Sequence, residues 1–164
     1  MSKGNLERFD FLDEMMGWII TTDNAVWATT DGGANWTEQL RDDAIIFEDI
    51  DFVDNQHGIV STITRFLYRT NDGGNTWDKI SLDNINRLAD IEFVDAFHGW
   101  AANGQREIVR TEDGGNTWVL QPIPVLDGDP FIPSFGNKTL HFFNRYEGYV
   151  MTFRGVLGTS TGGE

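Results

Sequence analysis

Short runs in which apolar and polar residues alternate recur along the chain, each five or six positions long and bounded by Gly, Asp or Asn. In the run 47–53, Ile50 and Phe52 fall on one side and Asp49 and Asp51 on the other, the period of a half-buried β-strand. Further apolar stretches follow at Gly58–Thr62, Phe66–Thr70 and 77–80. Together they predict four strands, A to D, within about 40 residues. No window keeps a 3.6-residue period over three turns, so the chain is predicted all-β.

This four-strand unit repeats. Thr29-Thr30-Asp31-Gly32-Gly33-Ala34-Asn35-Trp36 returns as Thr70-Asn71-Asp72-Gly73-Gly74-Asn75-Thr76-Trp77 and again as Thr111-Glu112-Asp113-Gly114-Gly115-Asn116-Thr117-Trp118, a step of 41 residues each time. A degraded copy begins at Thr159, with Thr161 in the aspartate's place and no tryptophan. A second motif keeps phase: Phe11, Asp13 and Gly17 match Phe52, Asp54 and Gly58, then Phe93, Asp95 and Gly99, then Phe142, Asn144 and Gly148. The Asp-Gly-Gly between strands C and D predicts a hairpin turn, because glycine reaches φ > 0 cheaply and Asp bonds turn amides. Four strands per repeat match a propeller blade.

Composition narrows the role. The 164 residues are 40% hydrophobic and 23% charged, as in a folded globular protein, and 26 acids against 12 bases give a net charge of −14. That balance argues against a general nucleic-acid binder, since it repels phosphate. There are no cysteines, which removes disulfides, thiolate metal sites and cysteine nucleophiles. No apolar run approaches the ~18 residues of a membrane span, and the first eight residues hold no apolar signal-peptide segment. No cofactor and no integral membrane segment are expected.

The box motif resembles the Asp-box, or BNR repeat, of sialidases, xyloglucan-active hydrolases, sortilin-like receptors and photosystem II stability/assembly factors. It resembles the last family most, whose blades similarly combine Phe-x-Asp-x-x-x-Gly-Trp with Arg-Thr-x-Asp-Gly-Gly-x-Thr-Trp; Arg69-Thr70 and Arg110-Thr111 keep that form, while Ala28-Thr29 and Gly158-Thr159 do not. The resemblance covers roughly residues 6–164. It implies a β-propeller that docks a newly made reaction-centre subunit without covalent chemistry, in a parent protein that is extracytoplasmic or thylakoid-lumenal. The alternative readings are a fragment of an Asp-box glycoside hydrolase and a secreted or phage structural propeller.

The expected architecture is one domain, 1–164. It holds four-stranded antiparallel blades at about 6–40, 47–81 and 88–121, an inserted loop at 122–136, and a blade at about 137–164 lacking its outer strand. A propeller ring usually holds 4–8 blades. The reading favoured is a fragment of a longer protein; the others are a half-ring completed by a homodimer and a small closed ring.

Residues repeated once per blade sit apart around a ring, so Asp31, Asp72 and Asp113 are read as holding hairpin turns while Trp36, Trp77 and Trp118 pack between strands. Catalytic acids or calcium ligands are the disfavoured reading. Asp10, Asp51 and Glu92, with His141 fourth, occupy equivalent strand-A positions and are read as solvated channel lining. His57 and His98 are equivalent turn residues with little support for a metal. The sequons at Asn35 and Asn137 carry little weight.

Partner contact is assigned to the opposite loops, B–C and D–A. Equivalent B–C turns carry Asn24, Arg65, Arg106 and Arg154, and guanidinium forks suit carboxylates. The D–A connection from Trp118 to Phe142 is eight residues longer than its equivalents and holds all four prolines, with Phe131 and Phe135 as candidate apolar anchors. A protein partner, a photosystem subunit if the family role holds, is the expected ligand. A sialidase would need a tyrosine nucleophile, and none of Tyr68, Tyr146 or Tyr149 is well placed on the arginine rim.

Overall fold

A computed structural model describes residues 4–83, 85–103, 107–121, 140–152 and 155–161. Four separate antiparallel sheets follow one another along the chain, each in sequence order. Blade 1 holds β1 (Leu6–Phe11), β2 (Gly17–Thr21), β3 (Ala25–Thr29) and β4 (Thr37–Arg41). Blade 2 holds β5 (Phe47–Phe52), β6 (Gly58–Thr62), β7 (Phe66–Thr70) and β8 (Asp78–Ser81). Blade 3 holds β9 (Leu88–Phe93), β10 (Gly99–Asn103), β11 (Ile108–Thr111) and β12 (Val119–Gln121). Blade 4 has three strands among the described residues: β13 (Leu140–Phe142), β14 (Gly148–Thr152) and β15 (Gly155–Thr159). This is a partial β-propeller, and the described residues contain no helix. Nor is any helix long and apolar enough to cross a membrane.

The in-phase motif has a local cause. Phe11, Phe52, Phe93 and Phe142 pair across strands with Gly17, Gly58, Gly99 and Gly148. Each ring lies over its glycine so closely that a Cβ there would stand 2.3 to 2.7 Å from the ring. Only glycine leaves that space. The fourth strand of blade 2 starts one residue later than the sequence predicts, because Trp77 turns back to donate its Nε1–H to Gly74 O at 3.1 Å.

The core is divided into three clusters, each lying between consecutive blades. Between blades 1 and 2, Trp18, Ile20, Val26 and Ala28 meet Phe47, Ile50 and Phe52. Trp18 stacks on Phe52 at 3.5 Å between ring centroids and 6°, and Trp100 stacks on Phe142 at 3.9 Å and 4°. In the middle joint Ile59 takes the tryptophan's place against Phe93. Burial of these large side chains, at roughly 1.5–3 kcal/mol each, makes the joints the main source of cohesion.

The strand-A acids require a correction. Asp51 and Glu92 are buried rather than solvated, at 9% and 6% exposure. Each accepts an N–H from the next blade's first strand: Phe52 N–H donates to Asp10 Oδ2 (2.7 Å), Phe93 N–H to Asp51 Oδ2 (2.7 Å) and Phe142 N–H to Glu92 Oε1 (3.2 Å). Two residues earlier, Asp49 accepts from Ile91 N–H and Asp90 from Leu140 N–H, both at 3.0 Å. Neighbouring first strands belong to different sheets, so their facing amides lack ladder partners, and side-chain carboxylates bridge the gap. The repeated acids are clips between blades.

Candidate protein-docking rim

The up-and-down order of each blade puts A–B and C–D turns on one rim and B–C and D–A connections on the other. On the first rim the two motifs interlock: Gly32 N–H donates to Met15 O (2.9 Å), Gly73 N–H to Gln56 O (2.9 Å) and Gly114 N–H to Phe97 O (3.0 Å). On the second, Ile63 N–H donates to Ile46 O (3.1 Å) and Leu82 N–H to Arg65 O (2.8 Å).

The first rim is saturated. Asp72 Oδ1 accepts from the Thr70 hydroxyl (2.8 Å) and the Thr76 amide (2.9 Å), while Oδ2 takes the Thr76 hydroxyl (2.7 Å). Asp113 repeats this with Thr111 and Thr117, and Asp31 with Thr29 and Asn35. The Thr76 amide and hydroxyl hold Asp72 below the ordinary carboxylate range, and the Asn35 amide and side chain do the same for Asp31. Burial pushes Asp113 up, but the Thr117 hydroxyl and amide outweigh it and leave a net lowering. A carboxylate kept ionised and surrounded by its own turn's donors is a poor proton shuttle. Trp36, Trp77 and Trp118 close each turn by donating to Gly33, Gly74 and Gly115 carbonyls at 3.0–3.1 Å. They also meet Phe11, Phe52 and Phe93 edge to face, about 6 Å apart between centroids.

The A–B turns beside them are built alike. Asp54 Oδ1 accepts from the Gln56 and His57 amides, and Asp95 Oδ1 from those of Phe97 and His98. Both histidines fold back so that Nδ1 lies 2.9 Å from the same carboxylate. Among the described residues no cluster of three or more His, Asp or Glu could hold a metal ion.

The second rim is different. Arg65 is exposed in the β6–β7 turn, its guanidinium 5.7 Å from the centre of the Phe66 ring, with no ion pair among the described residues. Asn24 holds the equivalent turn of blade 1 at a φ of 56°. Arg106, Arg154, Phe131, Phe135 and the inserted loop 122–136 lie outside the described residues. Of the three arginines singled out in the B–C turns, Arg65 is the one whose surroundings can be read; Arg41 and Arg87, at the D–A connections of the same rim, are paired with Asp23 and Glu48. Beside Arg65 are two residues that sequence reasoning missed, Ile46 in the β4–β5 connection and Ile63 in the β6–β7 turn, both exposed and joined by the Ile63–Ile46 backbone bond. Ile63 stood out as an isoleucine in a polar turn, whereas Ile46 follows Ala44 and Ile45 and gave no such signal. Tyr68 is buried, its hydroxyl donating to Asp42 Oδ2 at 2.5 Å, while Tyr146 and Tyr149 are exposed elsewhere.

Consecutive antiparallel blades, locked along one rim by Asp-boxes, define an Asp-box β-propeller. The chain belongs to the family described as photosynthesis system II assembly factor YCF48, which matches residues 2–84 and 77–163. It is similar to YCF48 from Cyanidioschyzon merolae, at 21% identity and TM-score 0.72 over 96% of this chain and 51% of that one. It is also similar to a YCF48 solved bound to a D1 peptide, at 23% identity and TM-score 0.65 over 73% and 42% of the two chains. An ancestral GH74 enzyme shares the fold at 16% identity and TM-score 0.64, over 99% of this chain and 23% of that one. The chain spans about half the length of the YCF48 structures it matches. No curated protein matches it in sequence.

Proposed function

We propose that this chain is a non-catalytic propeller module that docks a polypeptide on its B–C/D–A rim. Arg65, Arg106 and Arg154 receive carboxylates of the partner, and Phe131 and Phe135 anchor apolar side chains. The observation that carries the reading is Arg65 exposed beside Ile46 and Ile63, a cationic and apolar pairing suited to a peptide with an acidic group next to aliphatic residues. Family membership supports a partner of the D1 kind, since a relative was solved with such a peptide. The saturated Asp-box carboxylates support an absence of hydrolase chemistry, which needs an asymmetric pair of acids.

The test is fluorescence anisotropy with a labelled D1 peptide. Replacing Arg65, Arg106 and Arg154 together by Glu is expected to weaken binding at least tenfold; unchanged capture eliminates the docking rim. Incubation with xyloglucan oligomers and fluorogenic sialosides is expected to give no turnover, and clear hydrolysis reverses the assignment in favour of an enzyme.

A further inference from the structure

Blades 1, 2 and 3 each finish on an outer strand, β4, β8 or β12, that has a strand beside it on one side only among the described residues. Such an edge leaves a row of main-chain N–H and C=O groups open to any extended chain, and soluble proteins guard it with charge. Blades 1 and 2 follow that rule. β4 begins Thr37-Glu38 and β8 begins Asp78-Lys79. Glu38 is held by Arg41 at 2.7 Å, and Lys79 by Asp42 at 3.0 Å. Blade 3 departs from it. The residues that follow its box tryptophan are Val119 and Leu120, 53% and 56% exposed. They stand on opposite faces of the strand, Val119 across from Arg110 and Leu120 across from the buried Val109. This edge therefore offers an aliphatic side chain on each face where the other two offer polar or charged ones. Blade 3 packs against blade 2 on one side and blade 4 on the other, so the edge does not arise from either terminus of the chain.

Resting on the reading that a polypeptide docks at the B–C/D–A rim, we infer that part of that polypeptide leaves the rim and adds to blade 3 as a fifth strand beside β12. Main-chain groups spaced along a strand are matched in register by another extended chain, so the occupant is a polypeptide and not a small apolar molecule. Position ties this edge to the rim. β12 starts just after the Asp-box at Val119 and ends at Gln121, where the chain enters the D–A side. In blade 2 the same exit is bonded to the arginine turn, Leu82 N–H donating to Arg65 O at 2.8 Å. Continuing the antiparallel order of the sheet, the added strand runs from the docking rim towards the Asp-box rim, with its N-terminal end nearest the B–C turns. The partner chemistry follows from that direction. It is an acidic residue for the arginines, then a short extended run whose alternate aliphatic or β-branched side chains lie beside Val119 on one face and Leu120 on the other. The pairing is brief, because β12 spans three residues and Pro122, next in sequence, has no N–H to offer. The added strand thus supplements the arginine contacts, and the charges on β4 and β8 keep the same segment off blades 1 and 2.

The test uses the full 164-residue chain and a labelled D1 peptide, read by anisotropy and by amide hydrogen exchange. Bound peptide is expected to slow exchange in Val119–Gln121 at least tenfold. Val119→Lys combined with Leu120→Lys is expected to weaken capture at least tenfold with unchanged circular dichroism, because blades 1 and 2 carry charge at the equivalent positions. N-methylation along the peptide is expected to alternate, one set of amides being needed and the set between them tolerated. Unchanged exchange in β12, full capture by the lysine pair, or equal tolerance of both sets of N-methyl groups overturns the inference. So does slow exchange of every β12 amide in the free chain, which gives the edge to another part of this chain. A doubled mass that the lysine pair abolishes gives it to a second copy and overturns the inference too. Loss of capture on reversing the charge of Arg65, Arg106 and Arg154, with the lysine pair binding as wild type, keeps the docking rim and removes the added strand. If the D1 peptide is not captured at all, an Asp-Val-Thr-Val-Thr-Val peptide at millimolar concentration reads the edge alone. Protection of β12 then keeps the strand site and counts against the docking rim, and no protection removes both.

Discussion

The two rims of this propeller use the same turns of chain for opposite ends. On the Asp-box rim the three complete boxes are built alike, and their carboxylates bond to the turn itself, while the Gly73 and Gly114 carbonyls accept from Gln39 and Arg69. On the other rim the connections differ in length and residue from blade to blade, and Arg65, Ile46 and Ile63 point their chemistry outward. A repeated residue serves the repeating unit, while recognition of one particular partner needs positions that vary. The most conspicuous acids of the sequence are therefore the least available, and the loops without a motif carry the proposed contact. A fold can host many functions through this division.

The largest effect expected from this contrast is at Gly73, which sits at a φ of 72° with a would-be Cβ only 2.7 Å from Asn55 O. Ala there must hold a left-handed backbone and push against the neighbouring turn, at a cost of about 3 kcal/mol. A urea titration of Gly73→Ala should show the transition midpoint falling accordingly. An unchanged midpoint would mean that the interlocked rim contributes little to the fold.

The next effect is on acid stability. Asp13, Asp31, Asp54, Asp72, Asp95 and Asp113 all lie below the ordinary carboxylate range in the folded chain; burial pushes Asp54, Asp95 and Asp113 up, but turn amides and hydroxyls, with the His57 ring foremost at Asp54 and the His98 ring adding at Asp95, outweigh it. A carboxyl whose folded pKa is depressed contributes stability that is fully present above its unfolded value, about 3.9, and lost as the pH falls through the folded value. The urea midpoint is therefore expected to stay level from neutral pH to about 5 and to fall below about 4. Asp72→Asn should flatten part of that acid limb. A variant with the full wild-type slope would detach the Asp-box from the acid transition.

The readable part of the sequence matches this division. Strand order, the three boxes and the Phe-over-Gly pairs follow from short-range chemistry repeated at a fixed step, so periodicity exposes them. Asp51 and Glu92 were misread because alternation places them on the polar side of their strand. It cannot tell that the next blade's amides cover that side. Ile46 and Ile63 went unnoticed for a related reason. Ile63 is a lone apolar residue in its turn and Ile46 sits beside the buried Ile45, and only the bond between two distant connections brings them together.

A smaller effect is expected where the second rim does impose a conformation. Asn24 holds φ at 56°, and its carbonyl accepts the Asp42 N–H at 3.3 Å. Asn24→Ala should cost about 1 kcal/mol, since Asn tolerates the left-handed region better than Ala. Asn24→Gly should stay within about 0.5 kcal/mol of the parent. The pair of urea midpoints separates backbone strain from any side-chain contribution.

The smallest stability effect belongs to the residue with the most functional weight. Arg65 is exposed, makes no ion pair among the described residues and touches Phe66 only across the ring face. Its backbone carbonyl, which accepts the Leu82 amide, is indifferent to the side chain. Arg65→Glu is expected to leave the urea midpoint within about 0.5 kcal/mol, as exposed substitutions do. The same substitution adds two negative charges' worth of change at the docking rim and should weaken capture of a labelled D1 peptide. Ile63→Asp should weaken it too, through the apolar half of the pairing. Loss of binding without loss of stability is the behaviour of a recognition surface. If Arg65→Glu instead lowered the midpoint by as much as Gly73→Ala, the two rims would be doing the same structural job and the division drawn between them would fail.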